Sequence, residues 1–567
     1  MNVRVVALVA GVFFIFLATF IQGILPAIVP ESLQTRVSKV VRTDLGELKW
    51  MIADATDYTP QQARGRNAYI REGCWYCHSQ FVRPVTGESR RWGPVSQSGE
   101  YAFDQPHLFS TRRIGPDLAR VGLKYSDGWH LAHFWNPRMI TPDSIMPRFS
   151  WLFDQAPERV KIVTDAAGRR TLEKTAASEA LFNFTSPERV RLTPNAEGLL
   201  FVRKKGEYPV IFTPNKEFAG DSVQLISSTG ELDALIAYVQ KLGTNRGKWR
   251  DLFEPQQLDA TDISIPRSEE WIEYGKNVYR RRCLGCHGAN GDGNGPAATF
   301  LDVRPRNFKI AVFKFRTTPT GSLPTDGDLI RTITRGVRGT AMPTFHMVPM
   351  KDRLAVVQYI KYQLAVDRTD PDEPFLYFVE EPPLRPFYIG APPEPSPELV
   401  EEGRAIWGQA KCWECHGDKG KGDGAKARTL KDDFGFSIPP ANLTTGLFKS
   451  GSTVKDIFRT ITTGLNGTPM PTYVKSFTED QRWALSYYIL SLSAYTDPLS
   501  GKPLSISRED RRALNDPELR APSVRLAYGG RNQPRKTTGA SKFAGDAWAS
   551  RHGIENAEDI TSKQVRK

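Results

Sequence analysis

All six cysteines of this 567-residue chain lie in three copies of one five-residue pattern. The copies are CWYCH at Cys74–His78, CLGCH at Cys283–His287 and CWECH at Cys412–His416. In a C-x-x-C-H sequence the two thiols can form thioethers with one haem, and the histidine can bind its iron. Since every cysteine is used in this way, none is left for a disulfide or a zinc site. The pattern predicts three covalently bound haems c and a redox protein.

The motifs also predict the individual site residues. The haem-attaching thiols are those of Cys74, Cys77, Cys283, Cys286, Cys412 and Cys415, and the proximal iron ligands are His78, His287 and His416. A methionine followed by proline lies after each motif, at Met146, Met342 and Met470. A methionine thioether opposite histidine raises the reduction potential of a haem. We therefore predict these three methionines as the distal ligands.

Other residues compete for the distal position in the first unit. A lone methionine is more often a core residue than a ligand, and haems with two histidine ligands are common. The candidate histidines are His107, His130 and His133. His130 and His133 fall in SDGWHLAHFWNPR, a predicted helix before the methionine loop, and we expect them to be structural.

An internal repeat indicates how the chain is divided. The residues from Gly275 and from Gly403 align through their motifs, and IRTITRGVRGTAMPTF matches FRTITTGLNGTPMPTY before each closing apolar helix. The prediction is a mainly α fold, with an N-terminal transmembrane helix followed by three class I cytochrome c-like helical domains. The expected segments are an anchor with its juxtamembrane residues at 1–57, domains at 58–245, 265–366 and 398–497, a linker at 246–264, a Pro-rich linker at 367–397, and a polar, disordered tail at 498–567.

The N-terminus predicts a membrane anchor. Val5 to Val29 contains no charged residue and is long enough to span a bilayer. A cleavable signal peptide is the rival interpretation, but no A-x-A-like site precedes Glu31. Positive charges are more numerous after the span than before it, which argues for the opposite orientation. Because haem c is attached outside the cytoplasmic membrane, we nevertheless expect single-pass insertion in a bacterial inner membrane, with the haem domains in the periplasm.

The first unit resembles a known family. GRNAYIREGCWYCHSQFVRP, GPDLARVGLKYSDGWHLAHFWNPR and SIMPRF closely resemble the mono-haem subunit (subunit II) of cbb-type cytochrome c oxidases, over roughly residues 1–245. The resemblance implies a periplasmic cytochrome on one transmembrane helix, bound to a large haem–copper membrane subunit, with ligands Cys74, Cys77, His78 and Met146. Residues 265–495 resemble a tandem of class I cytochrome c domains, so the chain looks like a fusion.

These features favour an electron-transfer subunit of a terminal oxidase over an enzyme complete in itself. Electrons would pass from a soluble donor, such as a small cytochrome c, through the haems to the haem–copper partner. One transmembrane helix and no candidate copper ligands predict no oxygen-reducing site in this chain. The net charge of +13 suits acidic partners or anionic lipid, or only a solvated basic surface, and no motif suggests nucleic acid binding.

Two other functions stay open at this point. One is an electron-transfer subunit of a nitric oxide reductase or another membrane reductase. The other is a di-haem peroxidase, which would need an open iron position that the Met-Pro loops argue against. The first motif is also separated from the anchor by far fewer residues than the other two. This short separation suggests that the first haem lies nearest the membrane partner, while the repeated domains hang beyond it on linkers and receive the electrons.

Overall fold

The computed structural model describes residues 2–25, 35–85, 87–164, 170–173, 190–192, 195, 197–202, 210–212, 220–248, 265–301 and 303–495. These residues all fall within one compact unit, Met1–Asn515. The predicted tail at 498–567 and most of the predicted linker at 246–264 lie outside the described residues. Within them the fold is mainly α-helical, which confirms the predicted class.

The N-terminal segment is a long apolar helix. Helix α1, Val3–Thr19, continues through a π-helical turn at Phe20–Ile24, and Asn2 caps it by accepting a hydrogen bond from the Arg4 amide. Val3–Ile24 is apolar and long enough to cross a bilayer, the one such helix in the part of the chain that the structure describes. None of its residues is buried.

A β-hairpin and the first helical domain follow the anchor. The hairpin pairs β1 (Arg36–Arg42) with β2 (Leu48–Asp54) in antiparallel register. The domain contains α2 (Pro60–Arg71), α3 (Glu88–Trp92), α4 (Asp127–Trp135) and α5 (Gly230–Lys241). Thr59 and Gln62 form a capping box at the start of α2, so that two otherwise unbonded backbone amides are satisfied.

The segment between the methionine loop and α5 forms β-structure. Its strands are β3 (Phe153–Gln155), β4 (Val160–Thr164), β5 (Arg170–Leu172), β6 (Val190–Leu192), β7 (Leu199–Phe201), β8 (Val210–Phe212) and β9 (Ser222–Ser228). Five of them form one sheet in the order β3-β9-β4-β5, with β7 parallel to β9, and β6 pairs with β8. No structure was predicted for this segment from the sequence.

The second and third domains repeat one set of helices. The second has α6 (Glu269–Arg282), α7 (Leu284–His287), α8 (Asp326–Arg335) and α9 (Met350–Tyr359). The Pro-rich segment then holds β10 (Val366–Asp367), β11 (Phe375–Leu376) and the short α10 (Tyr377–Glu380). The third domain has α11 (Pro397–Gln409), α12 (Trp413–His416), α13 (Val454–Thr463) and α14 (Glu479–Ser491).

The same helix crossing occurs in all three domains. A Cβ placed on Gly65 would lie 1.8 Å from the Ala234 carbonyl oxygen, so α2 touches α5 at a point where only glycine fits. The corresponding distances are 2.0 Å from Gly275 to Ala355 and 2.1 Å from Gly403 to Ala484. These contacts make the three glycines the helix-crossing positions of their domains.

The hairpin contacts both the first and the third domain. Arg246 donates to the Ser38 carbonyl from the first domain, and its guanidinium lies 5.5 Å from the centre of the Trp50 ring. On the other side the Tyr495 amide donates to the Arg42 carbonyl, and a Cβ on Gly46 would lie 2.8 Å from Leu490 Cβ. The third domain therefore packs against the hairpin, contrary to the expectation that the repeated domains only hang beyond the first domain on linkers.

Candidate haem sites

Each C-x-x-C-H motif forms one tight turn after the first helix of its domain. The histidine amide donates to the carbonyl of the first cysteine in every copy, at 3.0 Å in the first and 2.9 Å in the other two. All six cysteine side chains are partly buried. Burial raises the pKa of Cys74, Cys283 and Cys286 to about 12 and that of Cys412 to about 11. Burial therefore favours the neutral thiol form of these four cysteines at physiological pH.

One hydrogen bond orients each motif histidine. Nδ1 lies 2.8 Å from the Pro116 carbonyl oxygen in His78, 3.0 Å from that of Arg306 in His287, and 3.2 Å from that of Ala441 in His416. Burial lowers the pKa of all three imidazoles, to about 4 in His287. The hydrogen bond to the carbonyl raises the pKa in each case, but by less than burial lowers it. The rings are neutral at pH 7 with the proton on Nδ1, so Nε2 has its lone pair available for iron.

The methionine loops of the second and third domains have the same backbone arrangement. The Val337 and Leu465 amides each donate to the carbonyl of the loop methionine at 3.1 Å. Gly336, at φ +66°, permits this path, because a Cβ there would lie 2.4 Å from the Pro343 carbonyl oxygen. Gly464 serves in the same way in the third domain, at φ +63°.

The three predicted distal methionines are partly buried. Met146 and Cys74 pack against the same hydrophobic core in the first domain. In the third domain Tyr473, three residues after Met470, makes a hydrogen bond with Cys412. These contacts bring two of the methionine loops to their motifs, while ligation by Met146, Met342 and Met470 stays a prediction.

The competing histidines all lie in the first domain, and their role as structural residues stays a prediction. His107 Nδ1 bonds the Asp104 carbonyl at 2.6 Å, and His130 and His133 lie on α4. Burial lowers the pKa of both α4 histidines to about 3, and the nearby His78 contributes to the shift of His133. His130 Nε2 and His133 Nδ1 have no hydrogen-bond partner among the described residues. The proximity of His133 to the first motif is a feature that sequence spacing could not show.

The residues present fit a covalently bound haem. Two thiols and an imidazole with an available Nε2 lie on one turn, and glycines let the neighbouring loops approach that turn closely. A Cβ on Gly115 would lie 2.2 Å from His78 Cε1, and Cβ atoms on Gly295 and Gly424 would lie 2.4 Å from motif carbonyl oxygens. Larger side chains at these positions would push the loops off the motifs.

The second motif differs from the others because another domain covers it. A Cβ on Gly285 would lie 2.0 Å from the Met139 carbonyl oxygen of the first domain. Cys286 packs against the core of the first domain, which also includes Phe300 of the second. By contrast, Tyr76 of the first motif is 55% exposed and Trp413 of the third is 40% exposed.

The β-rich segment of the first domain extends this contact. The Phe201 and Phe300 ring centres are 5.3 Å apart, the Phe201 amide donates to Thr299 Oγ1, and Asn195 Nδ2 donates to the Pro296 carbonyl. The segment thus holds the second domain against the first. It gives a structural role to residues whose role the sequence left open.

Comparisons with known proteins agree with this division. The family model described as cytochrome c oxidase, mono-heme subunit/FixO matches residues 9–246. The model for cytochrome c oxidase, cbb3-type, subunit III matches residues 272–360, and the model for cytochrome c matches residues 400–493. No curated protein matches the chain.

One solved structure is similar over part of the chain. It belongs to a reducing HAO-like protein complex of Kuenenia stuttgartiensis, is 39% identical, and covers 41% of this chain and 99% of its own, with a TM-score of 0.36.

The family matches confirm the resemblance deduced from the motifs. Cytochrome c domains imply covalently bound haem c, and the two oxidase families imply a partner in a cytochrome oxidase complex. The apolar N-terminal helix supplies a membrane anchor. The chain is therefore an electron-transfer cytochrome, in which residues 9–246 match the mono-haem subunit family of cytochrome c oxidase and two further cytochrome c domains follow.

Proposed function

We propose that this chain is a tri-haem cytochrome c that carries electrons from a soluble donor, such as a small cytochrome c, to the haem–copper catalytic subunit of a terminal oxidase. The observation that carries the proposal is the family match over residues 9–246, which includes the anchor, together with two more complete C-x-x-C-H units on the same chain. Haem iron would supply one-electron transfer. Since haem c is attached outside the cytoplasmic membrane, the proposed location of the domains is the periplasm of a bacterium.

Each of the three domains would hold one haem in an equivalent site. The domains correspond to residues 58–245, 265–366 and 398–497. Each has two cysteines for attachment, a histidine with Nε2 available and a methionine loop of similar position; the sets are Cys74, Cys77, His78 and Met146, then Cys283, Cys286, His287 and Met342, then Cys412, Cys415, His416 and Met470.

The packing of the domains supports a route of electrons through the second domain. Its motif touches the first domain at Gly285, and its Arg316 donates to the carbonyls of Thr463 and Gly464 in the third domain. The second haem would therefore lie between the other two. We propose that electrons enter through the repeated domains and leave from the first domain.

The experiment that tests the function uses the full chain in its native membrane. The tagged protein is purified with its partners, haem c per chain is measured by the pyridine haemochrome assay, and oxygen and nitric oxide consumption are compared with a reduced cytochrome c as donor. We expect three haems per chain, a co-purifying haem–copper subunit and oxygen reduction. Nitric oxide reduction without oxygen reduction, or two haems or fewer with full haem supply, would contradict the proposal.

A further inference from the structure

A cluster of basic side chains, which comprises four buried arginines and two half-buried lysines, lies between the second and third domains. It lines a pocket between α8 and α13, and its members are Lys314, Arg316, Arg331, Arg335, Lys449 and Arg459. The four arginines are at most 8% exposed. Burying several cations together costs free energy unless nearby negative charge balances them.

The cluster arises because the repeat packs against its own copy. In the alignment of the two domains the equivalent positions are Lys314 and Lys449, Asp328 and Asp456, and Arg331 and Arg459. The pseudo-symmetry therefore brings like charges together. Burial, and next the charge of Arg459, lowers the pKa of Arg331 to about 10. Burial, Arg306 and Lys449 lower the pKa of Lys314 to about 7, against the opposite effect of Asp432.

The two carboxylates that pair with these arginines each accept several hydrogen bonds already. Asp456 accepts from Arg335 Nη1 and Arg459 Nη1, each at 2.8 Å. Asp328 accepts from Arg331 and also from the amides of Thr317 and Thr325. In the described part of the chain these two acids are the hydrogen-bonded partners of α8 and α13 arginines in the pocket.

One donor of the cluster is buried without a partner. Arg459 Nε makes no hydrogen bond with any described residue, although Arg459 is only 8% exposed. A buried donor without an acceptor costs free energy, so a bound ligand that supplies an acceptor would stabilise the pocket. A guanidinium presents paired N–H groups that match the oxygens of a carboxylate or phosphate.

We propose that the pocket between α8 and α13 is an oxyanion-binding site, whose carboxylate or phosphate ligand neutralises Arg331, Arg335 and Arg459 and couples the second and third domains. Two sources can supply this chemistry. One is the propionate carboxylates of haem c in the adjoining domains, and the other is inorganic phosphate from solution.

The first test measures inorganic phosphate binding. The full-length holoprotein in detergent and phosphate-free buffer is titrated calorimetrically with phosphate at constant ionic strength, and thermal unfolding is followed in parallel. If the source is solution, phosphate binds the wild type and raises its unfolding temperature. Arg459→Gln then weakens binding about tenfold or more, the loss expected for a charged hydrogen bond. Arg428→Gln, an exposed arginine of the third domain, leaves binding unchanged.

The second test detects bound carboxylates without reference to oxidase activity. Redox-difference infrared spectra and haem midpoint potentials are recorded for the same proteins. If the source is the haem, phosphate does not bind, while Arg459→Gln shifts the carboxylate bands and lowers a midpoint potential of the repeated domains. Arg428→Gln again behaves as wild type.

A negative result in both tests overturns the proposal. That result is no phosphate binding, together with carboxylate bands and potentials in Arg459→Gln equal to those of the wild type. Arg459→Gln leaves Asp456 paired with Arg335, so we expect it to fold. If it does not, Lys314→Gln is measured in both tests with the same criteria. Both readouts are independent of the terminal oxidase, so failure of the proposed function would not alter them.

Discussion

Each motif histidine depends on a single backbone carbonyl for its orientation. Nδ1–H of His78 donates to the Pro116 carbonyl, and those of His287 and His416 donate to the carbonyls of Arg306 and Ala441, the residues after Pro305 and Pro440. The sequence places a proline at or directly before each accepting residue. It could not select the accepting residue, because the direction of a carbonyl depends on local backbone angles.

The distal ligands can be tested in the second domain. Met342→Ala should abolish a sulfur–iron charge-transfer band and lower one midpoint potential, by on the order of 100 mV, because axial ligands strongly set haem potentials. Absorption spectra and redox titration of the holoprotein measure both effects. Met347→Ala is the matched control, since Met347 is in the same loop but 61% exposed. Unchanged spectra and potentials in Met342→Ala would mean that another group binds the iron.

At the scale of elements, local pattern predicted the helices better than the sheet. The glycines before the motifs recur because α2, α6 and α11 each cross the closing helix of their own domain at one point. The sheet of residues 153–228 pairs short strands that are distant in sequence, such as Phe153 with Ser228. Such pairings leave little periodic signal, so the segment had no predicted structure although it holds the second domain in place.

The helix crossing gives a prediction with an internal control. Gly403→Ala places a Cβ 2.1 Å from the Ala484 carbonyl oxygen, so α11 and α14 must separate, at a cost of roughly 1–3 kcal/mol. Gly408→Ala lies on the same helix with nothing within 4 Å, and replacing a helical glycine there should stabilise by roughly 0.5–1 kcal/mol. Thermal unfolding of the holoproteins, followed by haem absorbance, should therefore rank Gly408→Ala at or above wild type and Gly403→Ala below it. The reverse order would contradict the crossing.

At the scale of the whole molecule, the three domains touch one another instead of following one another outward. Distance along the chain suggested that the repeated domains lie far from the anchor. The contacts of Leu490 and Tyr495 with the hairpin show instead that the third domain packs on residues that precede the first domain in sequence. The Pro-rich segment follows the protein surface, where the Phe387 amide donates to the Thr317 carbonyl and Tyr487 donates to the Pro393 carbonyl. No repeat or motif encodes such contacts between domains, so sequence reasoning could not find them.

The proposed route through the second haem depends on the contact at Gly285. Gly285→Ala puts a Cβ 2.0 Å from the Met139 carbonyl oxygen, and overpacking of this kind costs about 1–3 kcal/mol. We expect the interface to open, so that electrons pass more slowly from the repeated domains to the first haem, with haem content unchanged. Stopped-flow absorbance with a reduced soluble cytochrome c can separate reduction of the repeated haems from the later oxidase turnover.

The control for this variant is Glu414→Ala, which changes the equivalent position of the third motif. Glu414 pairs there with Lys426 at the protein surface, so its removal should leave the first interface intact. Slower transfer in Gly285→Ala than in Glu414→Ala would support passage across this interface. Equal rates in both variants and in the wild type would mean that electrons reach the first haem by another path, and the contact between the hairpin and the third domain would then be the place to look for it.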